Sequence, residues 1–241
     1  MRRMTDHNFL DSRPSPADPQ PRLLQANGVT RRSAGRLLLD GVSMGLEAGD
    51  RMALVGATGS GKTLLLRGLA MLDPLDGGEV LWRGQRVSGA YVPLYRSRVI
   101  YLHQRPAIVE GTVEDYLRQP FLMQVHRARH FVRRRIVSLL ESLQRDESFL
   151  AKLHRDLSGG EAQLAALLRA MQLDPNVLLL DEPTAALDAA TGMMVEKLIA
   201  NWLEERPSER ATVWVSHDMQ QAQRVSNRTI HMAQGVICIP K

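Results

Sequence analysis

Gly56-Ala57-Thr58-Gly59-Ser60-Gly61-Lys62-Thr63 decides how this chain folds. The stretch matches the pattern G-x-x-x-x-G-K-[ST], and it stands between two segments of the right kind. Arg51-Met52-Ala53-Leu54-Val55 reads as a short, mostly apolar strand, and Thr63 to Met71 as an apolar helix. Small residues let the backbone curl until several N–H groups converge on one anion, and the start of the following helix adds partial positive charge there. Lys62 is placed to reach the β- and γ-phosphates of a nucleotide. The Thr63 hydroxyl is placed to hold Mg²⁺.

At 241 residues and 44% hydrophobic content, the chain is long enough for one large domain with a proper core. Its 31 lysines and arginines against 26 acidic residues give a formal charge of +5. That mild basicity admits a nucleic acid or an anionic membrane surface as partner and requires neither. The single cysteine, Cys238, excludes an internal disulfide framework and fits a reducing compartment. No apolar run reaches bilayer-spanning length, and the N-terminus lacks the apolar core of a signal peptide. The expectation is a soluble chain whose membrane role comes through a partner.

Residues 1–21 carry Pro14, Pro16, Pro19 and Pro21, a spacing that forbids a regular helix, and they are expected to form a flexible tail. From Leu23 the pattern turns to strands. Leu23 to Thr30, the apolar Arg36 to Leu39, Val42 to Leu46, and a hairpin of Glu79–Trp82 with Arg86-Val87 read as an antiparallel layer beside a parallel core. Val99–Leu102, Val177–Leu180 and Ala211–Val215 are short apolar runs of the kind buried in a core sheet. Residues 107–156 carry few strand signals, and 107–173 are predicted to be a helical subdomain. Within it Thr112, with Asp115 three residues on, caps a helix. Arg127 to Leu143 reads as a basic amphipathic helix, and Ser158 opens a helix to about Leu173. Asp188 to Leu203 and Met219 to Val225 are further helices, and Thr229–Met232 with Gly235–Ile239 is a closing hairpin. The cluster Arg127, Arg129, His130, Arg133, Arg134 and Arg135 reads first as a solvated face and second as a contact for anionic lipid heads.

Two further stretches carry chemistry. Asp181 and Glu182 follow an apolar strand directly, and a carboxylate at the C-terminal end of a parallel strand faces the crevice where ligands bind. Asp181 is placed to hold Mg²⁺ and Glu182 to orient and polarise an attacking water. Leu157-Ser158-Gly159-Gly160-Glu161-Ala162-Gln163 is the most specific stretch. Two glycines at a helix start cost conformational entropy unless something must approach the backbone closely. Ser158 caps the helix, and free N–H groups there make a second anion site.

Together these motifs resemble, in kind and order, those of the ATP-binding subunits of ABC transporters. The phosphate loop Gly56–Thr63 is followed by Gln104 in the Q-loop place and by the signature Leu157–Glu161. Asp181 and Glu182 stand in the Walker B place, Ala185-Ala186-Leu187-Asp188 in the D-loop, and His217 in the switch-histidine place. The resemblance covers nearly everything from Leu23 onward. It implies an α/β P-loop ATPase in residues 22–241, with a mostly parallel core sheet, an antiparallel β layer and a helical subdomain. ATP and Mg²⁺ are the implied cofactors. Two copies would clamp ATP between Gly56, Ala57, Thr58, Gly59, Ser60, Gly61, Lys62, Thr63 and Leu64 of one and Ser158, Gly159, Gly160 and Glu161 of the other. The implied catalytic residues are Lys62, Gln104, Glu182 and His217, with Thr63, Gln104 and Asp181 at the metal and Asp188 linking the two sites.

Three positions depart from the family's pattern. Leu164 stands where an arginine is common, Ala185 where the D-loop opens with serine, and no aromatic residue from Leu23 to Leu81 is on hand to stack on adenine. Arg31 or Arg32 is the candidate for that stack through a planar guanidinium. With no transmembrane half and no second ATPase copy, the chain is expected to pair with a separate multi-spanning permease at the cytoplasmic face of the inner membrane. Tyr95 to Gln104 and Gly111 to Leu117 resemble a small bacterial group that includes the ATP-binding subunit of an iron exporter. The alternatives are the ATPase of a non-transport membrane complex, of the cell-division or lipoprotein-release type, and, favoured only by the arginines, a nucleic-acid protein.

Overall fold

The computed structural model describes residues 22–107 and 109–238, so the expected tail, 1–21, lies outside the described residues. In chain order the elements are β1 (Leu24–Ser33), β2 (Arg36–Leu46), β3 (Arg51–Val55), α1 (Lys62–Leu69), β4 (Gly77–Trp82), β5 (Gln85–Arg86), α2 (Val92–Arg96), β6 (Val99–Leu102), α3 (Val113–Arg118), α4 (Arg133–Ser142), α5 (Gly159–Met171), β7 (Val177–Asp181), α6 (Ala189–Glu205), β8 (Ala211–Val215), α7 (Met219–Val225), β9 (Arg228–Ala233) and β10 (Val236–Cys238). One sheet is antiparallel, in the order β2-β1-β4-β5. The other has the order β10-β9-β3-β8-β7-β6, parallel except at β10. The two apolar runs at 36–39 and 42–46 form one strand, β2, whose register against β1 shifts between Val29 and Arg31. The β4–β5 turn sits one residue earlier than its sequence suggests, leaving Val87 outside the strand.

Strand periodicity explains why the core strands are mostly apolar. Successive side chains point to opposite faces. Val177 and Leu179 of β7 join the core that lies against the antiparallel layer and α1, while Leu178 and Leu180 join the core formed with α3 to α6. In β8, Val213 and Val215 take the first face and Trp214 the second. A sheet covered on both sides favours apolar residues along these strands, with buried Thr212 of β8 the exception. The polar groups gather instead at the strands' C-terminal ends.

α3 to α5 form the helical subdomain. α3 starts with a complete capping box, in which Thr112 Oγ accepts from Asp115 N–H and Asp115 accepts from Thr112 N–H. The expected helix over Arg127–Leu143 is confined to Arg133–Ser142, and residues before it are extended or turned. Tertiary contacts outweigh the local periodicity there. Phe131 lies edge-on to Phe121, its ring 4.4 Å from the Arg118 guanidinium, and Arg129 donates to the Leu173 carbonyl. Val132, the residue that precedes α4, is extended at φ −114°.

Candidate active site

The phosphate loop leaves β3 and enters α1 between two supports. Gly235 N–H in the β9–β10 turn donates to the Ser60 carbonyl at 2.9 Å, and the Met232 carbonyl packs on Gly56. A Cβ at residue 56 would sit 2.1 Å from that carbonyl oxygen, so only glycine fits there. Lys62 is buried at the start of α1. Its Nζ donates to the Gly56 and Ala57 carbonyls at 2.7 and 3.0 Å, which leaves one of its three donors for a ligand. Burial lowers its pKa, and the charges of Glu182 and Asp181 work in the opposite direction. Ser60 Oγ is buried without a hydrogen-bond partner among the described residues. A curled loop, a free ammonium donor and an orphaned hydroxyl fit a phosphate chain. Ala57, Thr58, Gly59 and Thr63 are exposed, and Leu64 packs against the core beneath.

The parallel ladder brings the carboxylates to this loop. Asp181 ends β7 and is buried, its Oδ2 accepting from the Tyr101 hydroxyl at 2.8 Å. Burial above all, and then the charge of Asp181, raises the Tyr101 pKa, which keeps that hydroxyl a donor. Asp181 Oδ1 accepts no side-chain hydrogen bond among the described residues, which leaves it open to a cation such as Mg²⁺. Glu182 adopts the left-handed region at φ 49°, a conformation rare for a side chain of its size, and its N–H donates to the Val215 carbonyl at 3.2 Å. That turn aims its carboxylate between two groups. Gln104 Nε2 donates to Glu182 Oε2 at 2.8 Å, and His217 Nε2 lies 2.6 Å from Glu182 Oε1. Gln104, Glu182 and His217, from three different strand ends, thus form one cluster. A cleft of about 460 Å³ holds Glu182, His217 and Asp188 together.

The second anion site stands apart on α5. Ser158 Oγ accepts from Glu161 N–H at 3.2 Å, and Glu161 Oε2 accepts from Ser158 N–H at 3.0 Å. The capping box therefore uses two of the N–H groups that the sequence reading left free, and Glu161 is further paired to Lys152 at 2.5 Å. Asp188 caps α6, accepting from Thr191 N–H at 2.9 Å and Thr191 Oγ at 2.6 Å. Arg31 lies across the ladder from Leu39, whose side chain packs at Gly61. Its guanidinium is paired with Asp76 at 3.2 Å, and Arg32 N–H donates to the same carboxylate. A stack on a base would have to share or break that pair. Tyr101 is the site residue that sequence reasoning missed. It sits in an apolar run and meets Asp181 only because β6 pairs with β7.

Residues 39–185 match the ABC transporter family. Protein STAR1 of Oryza sativa subsp. japonica is 35% identical over 216 residues, 89% of this chain and 61% of that protein. The Fe(3+) ions import ATP-binding protein FbpC 2 of Rhodococcus jostii is 35% identical over 214 residues, 88% of this chain and 60% of that protein. The chain spans about three fifths of the length of these curated relatives. Among solved structures, a dimeric post-hydrolysis state of the ATP-binding cassette MJ0796 bound to ADP and Pi aligns with a TM-score of 0.80. That alignment covers 90% of this chain and 97% of the other at 23% identity, a likeness of fold. With the motifs in their order, the strand ends that gather them and the family match over 39–185, this chain belongs to the ABC transporter family.

Proposed function

We propose that the chain is an ATPase subunit that closes on a second copy of itself around ATP and drives a separate membrane permease. The observation that carries this reading is the Glu182 carboxylate, held by Gln104 on one oxygen and facing His217 on the other, beside buried Asp181 and Lys62. Lys62 and the loop N–H groups bind and orient the β- and γ-phosphates. Glu182 takes a proton from the attacking water, and His217 supports the carboxylate and the γ-phosphate. Mg²⁺, held by Thr63 and Asp181 with Gln104 nearby, supplies charge neutralisation of the phosphate oxygens when bound. Ser158, Gly159 and Gly160 of the second copy close the site from the other side. Gln104 and His217 each engage one Glu182 oxygen, and the carboxylate keeps acceptor capacity for the attacking water.

Among the described residues no helix is long and apolar enough to cross a membrane, which fits a subunit attached through its partner. The finer reading, metal export with iron as the cargo, rests on the resemblance of Tyr95–Gln104 and Gly111–Leu117 to the iron-exporter group. FbpC 2 is named for import of the same ion, so direction needs its own experiment.

Glu182→Gln keeps nucleotide binding, loses nearly all turnover and accumulates an ATP-dependent dimer. Phosphate release and size-exclusion chromatography measure both; wild-type turnover would refute the role of Glu182. Capture of the tagged variant with ATP from gently solubilised membranes identifies the partner. A multi-spanning permease supports transport, and metal transport by the reconstituted pair tests the cargo. A single-pass envelope or division protein would favour the non-transport reading.

A further inference from the structure

Gln221, on α7, lies four residues past His217 and plays no part in the reaction described so far. Its side-chain amide makes three hydrogen bonds. Nε2 donates to Thr184 Oγ at 2.8 Å and to Glu196 Oε1 at 2.8 Å, and Oε1 accepts from Ser216 Oγ at 2.8 Å. A carboxylate only accepts, so Glu196 dictates which end of the amide is nitrogen. Glu196 is itself held by Arg224, through Nε at 2.6 Å and Nη2 at 2.8 Å. The amide has one orientation available to it, and the Ser216 hydroxyl must donate.

Two of the residues it joins, Ser216 and Thr184, lie on the segments that leave the catalytic strands. Ser216 directly precedes His217, is buried, and accepts from Asp218 N–H at 3.0 Å to shape the turn that carries the imidazole. Thr184 follows Glu182 by two residues. β7 and β8 are paired as far as Asp181 and Val215, and Glu182 N–H makes one bond more to the Val215 carbonyl. Past that point, among the described residues, no backbone hydrogen bond joins 183–188 to 216–218. The 2.6 Å approach of His217 to Glu182 lies beyond the end of the ladder that aligns them.

We infer that Gln221 is a positioning residue that bridges this gap. It ties the His217 turn to the segment leaving Glu182, and so sets the relation between base and imidazole. The inference rests on the reading of Glu182 and His217 as catalytic partners.

The test is steady-state and single-turnover ATP hydrolysis by Gln221→Leu and Thr184→Val, each alone and combined with His217→Ala. Thr184→Val cuts the bridge at its far end with almost no change in volume, and serves if Gln221→Leu folds poorly. Both variants are expected to lower kcat roughly tenfold with KM for ATP within about twofold, since small misplacements of a catalytic group cost rate more than binding. Neither lowers the residual rate further once His217 is alanine, because groups acting through one another are non-additive. The His217 imidazole resonances, assigned by their loss in His217→Ala, shift in both variants. An equal fall in rate in the His217→Ala background, a change in KM alone, or unmoved imidazole resonances would overturn the inference. Wild-type turnover by Glu182→Gln would instead overturn the ATPase reading beneath it.

Discussion

Gly159 and Gly160 open the same helix and answer to different neighbours. A Cβ at residue 160 would stand 2.8 Å from the Ala186 carbonyl oxygen and 3.1 Å from Leu187 Cδ2. At residue 159 its nearest contact would be the Ala186 Cβ at 3.8 Å, an ordinary separation. The sequence shows that something approaches this pair closely. That the close approach is by the chain's own 185–188 segment, and to only one glycine, follows from packing. Gly160→Ala is expected to displace that segment and lower stability by about 1–3 kcal/mol. Gly159→Ala is expected to keep the wild-type melting temperature, alanine being the better helix former, and to weaken ATP-driven dimer formation by crowding the exposed helix start. Thermal melts beside dimer assays separate the two, and equal melting shifts would contradict this division.

At the scale of elements, α4 begins without a side-chain cap and with Arg133, Arg134 and Arg135 in its first turn, against the helix dipole. Interactions with neighbouring elements hold it, among them Arg133 with Glu114 and with Glu147. Val132 stands at the cap position and is 46% exposed. Val132→Asp supplies both a cap and a compensating charge, and is expected to stabilise the protein by about 1 kcal/mol. A lower urea midpoint would contradict that. Where α5 hands over to β7, Asp174 receives Arg206 and, at 2.6 Å, the buried Arg210, tying this turn to the end of α6. Burial pushes the Asp174 carboxyl up, but the hydrogen bonds from Arg206 and Arg210 outweigh it and hold the carboxyl below its usual range. The folded pKa is thus lower than the unfolded value of about 3.9. The resulting stability is present above that value and is lost as pH falls through the folded one. Asp174→Asn suits the left-handed backbone at φ 51° equally well, so it isolates the charge. It is expected to cost about 3 kcal/mol at pH 7, and to flatten the loss of stability below about pH 4. Urea midpoints from pH 7 to pH 3 measure this, and a parallel acid limb in the variant would count against it.

For the whole molecule, the excess of basic residues is spread by the fold. Arg133 is paired with two glutamates, Arg135 approaches Asp174 at 3.8 Å, and Arg129 turns inward to a carbonyl. Of the six residues in the positive block at 127–135, Arg129, Arg133 and Arg135 turn to internal partners. A labelled DNA duplex is expected to show no binding at physiological salt by anisotropy. Affinity that falls steeply with rising salt would restore the nucleic-acid reading. By itself the sequence determined the phosphate loop, the caps at Thr112 and Ser158, the strands at 51–55, 99–102, 177–180 and 211–215, and the candidate residues Lys62, Asp181 and Glu182, while Gln104 and His217 came from the resemblance to the ABC family. The loop, the caps and the strands are written in neighbours along the chain, as a spacing, a capping residue or a short apolar run. Only the tertiary structure decided that Tyr101 meets Asp181 across 80 positions and Gln104 meets Glu182 across 78. It alone decided that the β9–β10 turn braces the loop at Ser60, and that the helix expected from Arg127 begins at Arg133. The reason is physical. The order β3-β8-β7-β6 comes from pairing between distant strands, and hydrogen bonds near 2.8 Å form only after packing has placed both partners.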